Sequence, residues 1–248
     1  MRILFPLIAA TAFAAPALAQ ETVINPPQSI SLDVGAGAAY KPTYPGSDEH
    51  ETVPWLIFRN LELNGTRSGP GDGFSITPSF NYLGKRDSDD DSRLAGLDEV
   101  DRTLEFGVKA TYRTGPTRAF VTARKGFGGH DGITGEFGAE YRIDYSDRLT
   151  MWAGLEAGYG NDDYNQTYFG VTPDEAARTA YGPYAPGGGI NSAAATLEAR
   201  YDLSPNTAVM GEVKFSRVIG DAADSPIVLD ENQPSVRLGI VRTLNFGF

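Results

Sequence analysis

The chain has 248 residues, a formal charge of −11 and no cysteine, which excludes a disulfide framework, a thiol nucleophile and a thiolate metal site and argues against nucleic acid as a partner. With 41% hydrophobic residues and a mean hydropathy of −0.28 it is too polar for a bundle of membrane helices. The same balance suits a barrel whose residues alternate between lipid and water, and 29 glycines, 12 tyrosines and 13 phenylalanines suit glycine-rich strands banded by aromatic rings.

Residues 1–19 carry a basic start at Arg2, an apolar run from Ile3 to Ala15 and the small-residue motif Ala17-Leu18-Ala19 before Gln20. This predicts a secretory signal peptide and leaves 20–248 as one outer-membrane barrel domain. Losing Arg2 with it takes the charge from −11 to −12. No other stretch approaches the length of a transmembrane helix, so an exported chain that ends in a lipid-type strand spans as a closed barrel or not at all. The expected class is an all-β, transmembrane, antiparallel up-and-down β-barrel of about ten strands, with twelve as the alternative count.

A proline-marked lead, 21–28, precedes a first strand predicted over Ile30 to Tyr40. Ile30, Leu32, Val34, Ala36, Ala38 and Tyr40 form one face and Ser31, Asp33, Gly35 and Gly37 the other. The second strand is predicted near Val53 to Leu63, with Trp55 and Ile57 as its apolar residues, and the third near Gly73 to Tyr82, with Phe74, Ile76, Phe80 and Tyr82 on one side. The fourth, Thr103 to Arg113, alternates most cleanly: Leu104, Phe106, Val108, Ala110 and Tyr112 against Glu105, Gly107, Lys109, Thr111 and Arg113. The fifth to ninth follow over Thr117 to Lys125, Gly135 to Tyr145, Leu149 to Gly160, Ser192 to Leu203 and Thr207 to Arg217. The tenth runs from Ser235 to Phe248 with Val236, Leu238, Ile240, Leu244, Phe246 and Phe248 on one face. Arg242 interrupts that row and is tolerated near an interface or by snorkelling. Phe246 and Phe248 resemble the terminal segment that bacterial barrel-assembly machinery reads, which makes them an expected assembly signal and that machinery an expected partner.

Tight turns at 114–116, 146–148 and 204–206 alternate with longer connections at 41–52, 83–102, 126–134, 161–191 and 218–234. Short periplasmic turns and long extracellular loops are the asymmetry of an outer-membrane barrel. Acidic outer loops suit the divalent-cation layer of a lipopolysaccharide leaflet, so outer-membrane lipid and lipopolysaccharide are expected partners. If the apolar face meets lipid, the lumen receives Glu105, Lys109, Arg113, Glu140, Arg142, Glu198, Arg200, Glu212 and Lys214, together with Asp33, Arg124, Glu136, Glu156 and Arg237. Mixed charges in so narrow a barrel either line a polar pore or pair into a filled core, and the small diameter favours pairing.

In the loops, Asp87, Asp89 and Asp91 have the spacing of a calcium loop, but Ser92 stands where that loop needs glycine, so a solvated acidic segment is expected and no metal site. The only two histidines, His50 and His130, lie on the outer rim beside Asp48 and Asp131, without a paired-carboxylate signature; no catalytic residue and no cofactor is assigned. In the longest loop, Thr172 as N-cap, Pro173 in the first turn and Glu175 predict a capped helix running to about Ala180.

Three motifs in order then carry a resemblance. The stretch Tyr168-Phe169-Gly170-Val171 and its helix, the first-loop segment around Tyr44, Gly46, Ser47 and Asp48, and the last-loop segment around Asp224, Ser225 and Pro226 resemble the loop motifs of the MipA/OmpV family of MltA-interacting outer-membrane proteins. Membership implies an outer-membrane barrel. In the family's named member it implies scaffolding of a lytic transglycosylase with a peptidoglycan synthase, a role that no motif here carries residue by residue. A narrow porin-like channel for small solutes is the alternative.

Overall fold

The computed structural model describes residues 29–63, 72–88 and 91–247; the signal segment, Asp89, Asp90 and Phe248 lie outside them. The described residues form strands β1 (Ser29–Pro42), β2 (His50–Leu63), β3 (Gly73–Leu83), β4 (Thr103–Thr114), β5 (Thr117–Gly128), β6 (Ile133–Asp144), β7 (Leu149–Gly160), β8 (Gly189–Ser204), β9 (Thr207–Val218) and β10 (Asn232–Gly247). Their order in the single sheet is β2-β1-β10-β9-β8-β7-β6-β5-β4-β3. Every ladder is antiparallel, and the first strand pairs with the last from Ser29↔Gly247 to Tyr40↔Val236.

Period-two alternation divides the sheet into two surfaces. On β10, Val236, Leu238, Ile240 and Phe246 are exposed while Ser235, Val241 and Thr243 are buried. Arg242 stands on the exposed row, near the β8–β9 turn, where it pairs in register with Thr207. Phe74, Ile76, Phe80, Leu104, Phe106, Val121, Phe137 and Leu155 continue that apolar exterior around the sheet. An apolar surface of this extent is stable against lipid and not against water. No helix among the described residues is long and apolar enough to cross a membrane.

β2 corrects the sequence expectation. Ile57 is 1% exposed, whereas Leu56 and Phe58 are each 69% exposed, so Trp55 and Ile57 are the inward face of that strand. β2 and β3 are the two edges of the sheet, and among the described residues no ladder joins them. Pro54 on β2 and Pro78 on β3 each remove an N–H from these edges. The sheet nevertheless curls until strands distant in the order meet across its interior.

The longest loop also differs from expectation. It holds two helices, α1 (Asp162–Phe169) and α2 (Pro173–Ala176). Asn161 caps α1 by accepting from the Tyr164 N–H, and Asp162 and Asp163 stand in its first turn. The capping box of α2 forms as Thr172 and Glu175 predict, but the helix stops at Ala176. There the Arg178 N–H bonds the Glu175 carbonyl and the Thr179 hydroxyl donates to the same oxygen at 3.0 Å, which closes the turn early.

Candidate functional site

Alternation sends every second side chain into the curl of the sheet, and there the charges meet. Arg59 of β2 pairs with Glu198 of β8. Asp33 of β1 accepts from Arg200 Nη1 at 2.8 Å and from the Thr243 hydroxyl at 2.5 Å. Lys214 pairs with Glu156, Arg118 with Glu140, and Arg237 Nε lies 3.5 Å from Glu212 Oε1. Arg142 holds Asp144 at 2.8 Å, Arg113 lines the rim beside Arg118, and the Lys109 ammonium sits 4.0 Å above the Phe120 ring. Beside these pairs, Ile57, Ala208, Met210 and Val241 form an apolar cluster against Trp55. In a low-dielectric interior each charge needs its partner, because an isolated one is poorly solvated.

Glu105 is the hub of the upper part. It is 1% exposed; its Oε2 accepts from Asn81 Nδ2 at 2.8 Å and Arg124 Nε at 3.2 Å, and its Oε1 from the Thr134 hydroxyl at 3.0 Å. Arg124 also reaches Glu136 at 2.6 Å. His130, buried at the top, accepts the Gly132 N–H on Nδ1 at 3.1 Å, which leaves the proton on Nε2, 3.3 Å from Glu105 Oε1. The rings of Tyr164 and Tyr168 from α1 pack edge-on against the imidazole. Just below, Glu105, Arg124, Glu156, Tyr164 and Lys214 line a cavity of about 110 Å³.

The loops close over this layer. Tyr44, Leu94, Leu97, Val171 and Ile227 form one apolar cluster, and Val100, Tyr168, Phe169, Val218 and Ala222 a second. The three sequence motifs thus meet in one lid. The Tyr44 hydroxyl donates to the Ile227 carbonyl at 3.2 Å, and the Ser225 hydroxyl to the Phe169 carbonyl at 2.5 Å. Val171 exchanges two backbone bonds of 2.8 Å with Tyr184, and Gly170 receives the chain as the C-cap of α1. Gly46, at φ 98°, donates its N–H to Gln233 Oε1 at 3.1 Å and accepts the Leu229 N–H at 2.7 Å. Its positive φ and its contact with Val228 both call for glycine. Ser47 donates to Asp91 at 3.4 Å, and Arg93 clamps Asp91, Asp48 and Glu49 together. Pro226 is half-buried between Ser225 and Ile227, and Asp224 is exposed on the rim.

Burial, with the Asp91 carboxylate adding to it, pushes the Tyr44 hydroxyl from its ordinary value of 10 up to about 12. The fold therefore stabilises the neutral phenol; that contribution is full below pH 10 and is lost as pH rises through about 12. Limited proteolysis of the folded barrel should show the loops opening across that window. Tyr44→Phe should weaken the lid by about 1 kcal/mol through the orphaned Ile227 carbonyl and remove this alkaline step. A wild-type pattern from the variant at neutral pH, with the alkaline step intact, would contradict the assignment.

Three arrangements lie beyond the sequence expectations. Arg59 and Arg118 face the lumen, and His130 meets Glu105, not Asp131. His50 stays at the rim, stacked on Tyr40 at 5.1 Å with its Nε2 3.3 Å from the Pro234 carbonyl, well apart from the buried cluster. Asp91, part of the calcium-like spacing, is taken by Arg93, and Asp87 by Lys85.

Residues 34–244 match the family described as MltA-interacting protein MipA. The MltA-interacting protein of Escherichia coli strain K12 is 27% identical over 210 residues, spanning 80% of this chain and 83% of that one. The outer membrane protein YiaT of Escherichia coli O157:H7 is 24% identical over 234 residues, spanning 89% and 91%. Among solved structures, an outer membrane channel from Pseudomonas putida F1 aligns over 89% of this chain and 97% of that one at 12% identity and a TM-score of 0.48. Neisserial surface protein A aligns over 88% and 97% at 11% identity and a TM-score of 0.27.

Proposed function

The chain belongs to the MltA-interacting protein MipA family and lies in the outer membrane, and from that premise we propose that it is a structural barrel that scaffolds peptidoglycan-remodelling enzymes, a lytic transglycosylase among them, from the periplasmic side. The observation that supports this reading is the side-chain packing inside the curl of the sheet. Ion pairs cross it at Arg59–Glu198 and Arg200–Asp33, an apolar cluster packs beside them, and the loop motifs pack together in two further apolar clusters. A solute pathway would have to break buried ion pairs and lid contacts together, which is costly. His130 lies with Nε2 3.3 Å from Glu105 Oε1 and its ring against two tyrosines, a buried arrangement that suits structure better than catalysis. Cleavage of the signal peptide at 19 belongs to the same proposal.

Two measurements on the purified, folded barrel test it. In planar bilayers the protein should give no stepwise conductance, and immobilised barrel should retain a purified lytic transglycosylase through high-salt washing. Steady single-channel steps would favour a narrow porin-like channel for small solutes. Failure to retain the enzyme would remove the scaffolding role.

A further inference from the structure

His130 joins the barrel to its outer loops through its ring. The side chain is 0% exposed, and a Cβ at Gly126 would lie 2.2 Å from its Cε1, so the imidazole sits on bare backbone of β5. Its Nδ1 accepts the Gly132 N–H at 3.1 Å. Gly132 in turn ties the β5–β6 connection to α1: its carbonyl accepts the Gly126 N–H at 3.0 Å, and a Cβ on it would stand 2.6 Å from the Tyr164 nitrogen. Beside it, Asn161 Oδ1 accepts the Ile133 N–H at 2.8 Å and the Tyr164 N–H at 3.2 Å. Across the ring, Nε2 stands 3.3 Å from Glu105 Oε1 without a formed hydrogen bond.

A neutral imidazole accepts on one nitrogen, whereas an imidazolium donates from both. A proton on Nδ1 would face the Gly132 N–H, donor against donor, so a second proton and the Gly132 bond exclude each other. We propose that His130 is a proton-sensitive latch: on gaining a second proton it gives up the Gly132 N–H and draws onto the Glu105 carboxylate, which releases the 129–132 turn and the start of α1 that rests on it. The charges around the ring favour this exchange. Glu105 on β4 and Glu136 on β6 share the Arg124 guanidinium of β5, so an imidazolium there sets two cations against two carboxylates. From α1 come the neutral Tyr164 and Tyr168 rings; Arg86 joins that helix at the Tyr168 carbonyl, 3.3 Å away, and Asp131, next to His130 in the chain, is exposed. A charge-assisted bond to Glu105 is stronger than the neutral one from Gly132, and imidazole is the side chain that ordinarily titrates between about pH 5 and 8. The latch does not depend on the scaffolding reading.

The chain has two histidines and no cysteine, so a single label and a single ring can each be read without background. A spin label on Asp131→Cys, in the full-length folded barrel in lipid vesicles, is followed from about pH 7.5 to about pH 5.5, which brackets an ordinary imidazole. Its mobility should rise reversibly on acidification, with the mobile-to-immobile ratio changing by up to about tenfold per pH unit as one proton is taken up. A label on Asp147→Cys, exposed in the β6–β7 turn at the opposite end, should not follow. His50→Gln should keep the response, and His130→Gln, with the heat-modifiable migration of a folded barrel, should lose it. No response at 131, an equal response at 147, or a response that survives His130→Gln or vanishes with His50→Gln would overturn the latch. Should His130→Gln fail to fold, the ring resonances of isotope-labelled histidine decide: the signal that remains in His50→Gln should titrate together with the label at 131, and a signal that stays constant over that range would overturn the proposal.

Discussion

Glu105→Ala is expected to destabilise the barrel by about 3–5 kcal/mol, the cost of removing one partner from a buried charge network. Glu105 receives hydrogen bonds from Asn81, Arg124 and Thr134 and faces the His130 Nε2–H. Alanine leaves Arg124, itself 8% exposed, with only Glu136 and the Ser79 hydroxyl, and leaves the Asn81 amide and the Thr134 hydroxyl without this acceptor. Part of the loss is therefore desolvation of the survivors, not the lost attraction. Glu105→Gln keeps the shape and one acceptor oxygen and should cost less than alanine. The control is Glu231→Ala, which breaks the pair with Arg217, whose side chains are 41% and 58% exposed; such a surface pair contributes about 1 kcal/mol or less. Guanidinium unfolding in lipid vesicles reads all three, and a Glu105→Ala midpoint no lower than that of Glu231→Ala would contradict the hub role.

Legibility in the sequence followed the strength of the period-two signal. β4 alternates without interruption, so its faces, with Glu105 and Lys109 together, could be written down from the residues alone. β2 could not be treated so: Trp55, Leu56, Ile57 and Phe58 are consecutive apolar residues, and a run of that kind does not say which pair faces in. Packing decides it, because Ile57 finds Val241 and Met210 inside, and Arg59 follows onto the same face. Arg118 was within reach, since it lies an even number of residues from Arg124 on β5. Helix α1 is too short and polar to show a periodicity, although Asn161 followed by Asp162 and Asp163 was a usable start signal. The His130–Glu105 pair was out of reach because its members lie on different elements and only the β4–β5 ladder brings them together. The same holds for the lid. Three loop motifs can be recognised separately along the chain, but the bond from Tyr44 to Ile227 spans 183 residues and exists only once the sheet has brought its first and last strands side by side.

That closure is where the largest effect is expected: Gly37→Val should prevent the barrel from forming. A Cβ at Gly37 would lie 2.1 Å from the Leu238 carbonyl oxygen and 2.5 Å from Gly239 Cα, and one at Gly35 would lie 2.3 Å from the Ile240 carbonyl oxygen. These obstacles are backbone of the neighbouring strand, so no rotamer change relieves them. Bare backbone on the lumen side of β1 lets it approach β10 closely, and β2 then turns inward until Ile57 Cδ1 lies 2.9 Å from where a Cβ on Gly239 would stand. Valine at 37 forces β1 away from β10 along the ladder that unites the two ends of the chain and lifts Ile57 from its seat. Overpacking costs about 1–3 kcal/mol where side chains can shift; here the obstacle is backbone that cannot yield, so the cost lies above that range and takes a large part of the roughly 5–15 kcal/mol typical of folded proteins. Gly211→Val is the matched control, because a Cβ there meets nothing nearer than 3.8 Å. In outer membranes from cells expressing each variant, Gly211→Val should give the fast-migrating, heat-modifiable band of a folded barrel and Gly37→Val should give little of it. A Gly37→Val protein that folds and resists protease as well as the control would show that β1 and β10 do not need this approach, and the inward turn of β2 would require another cause.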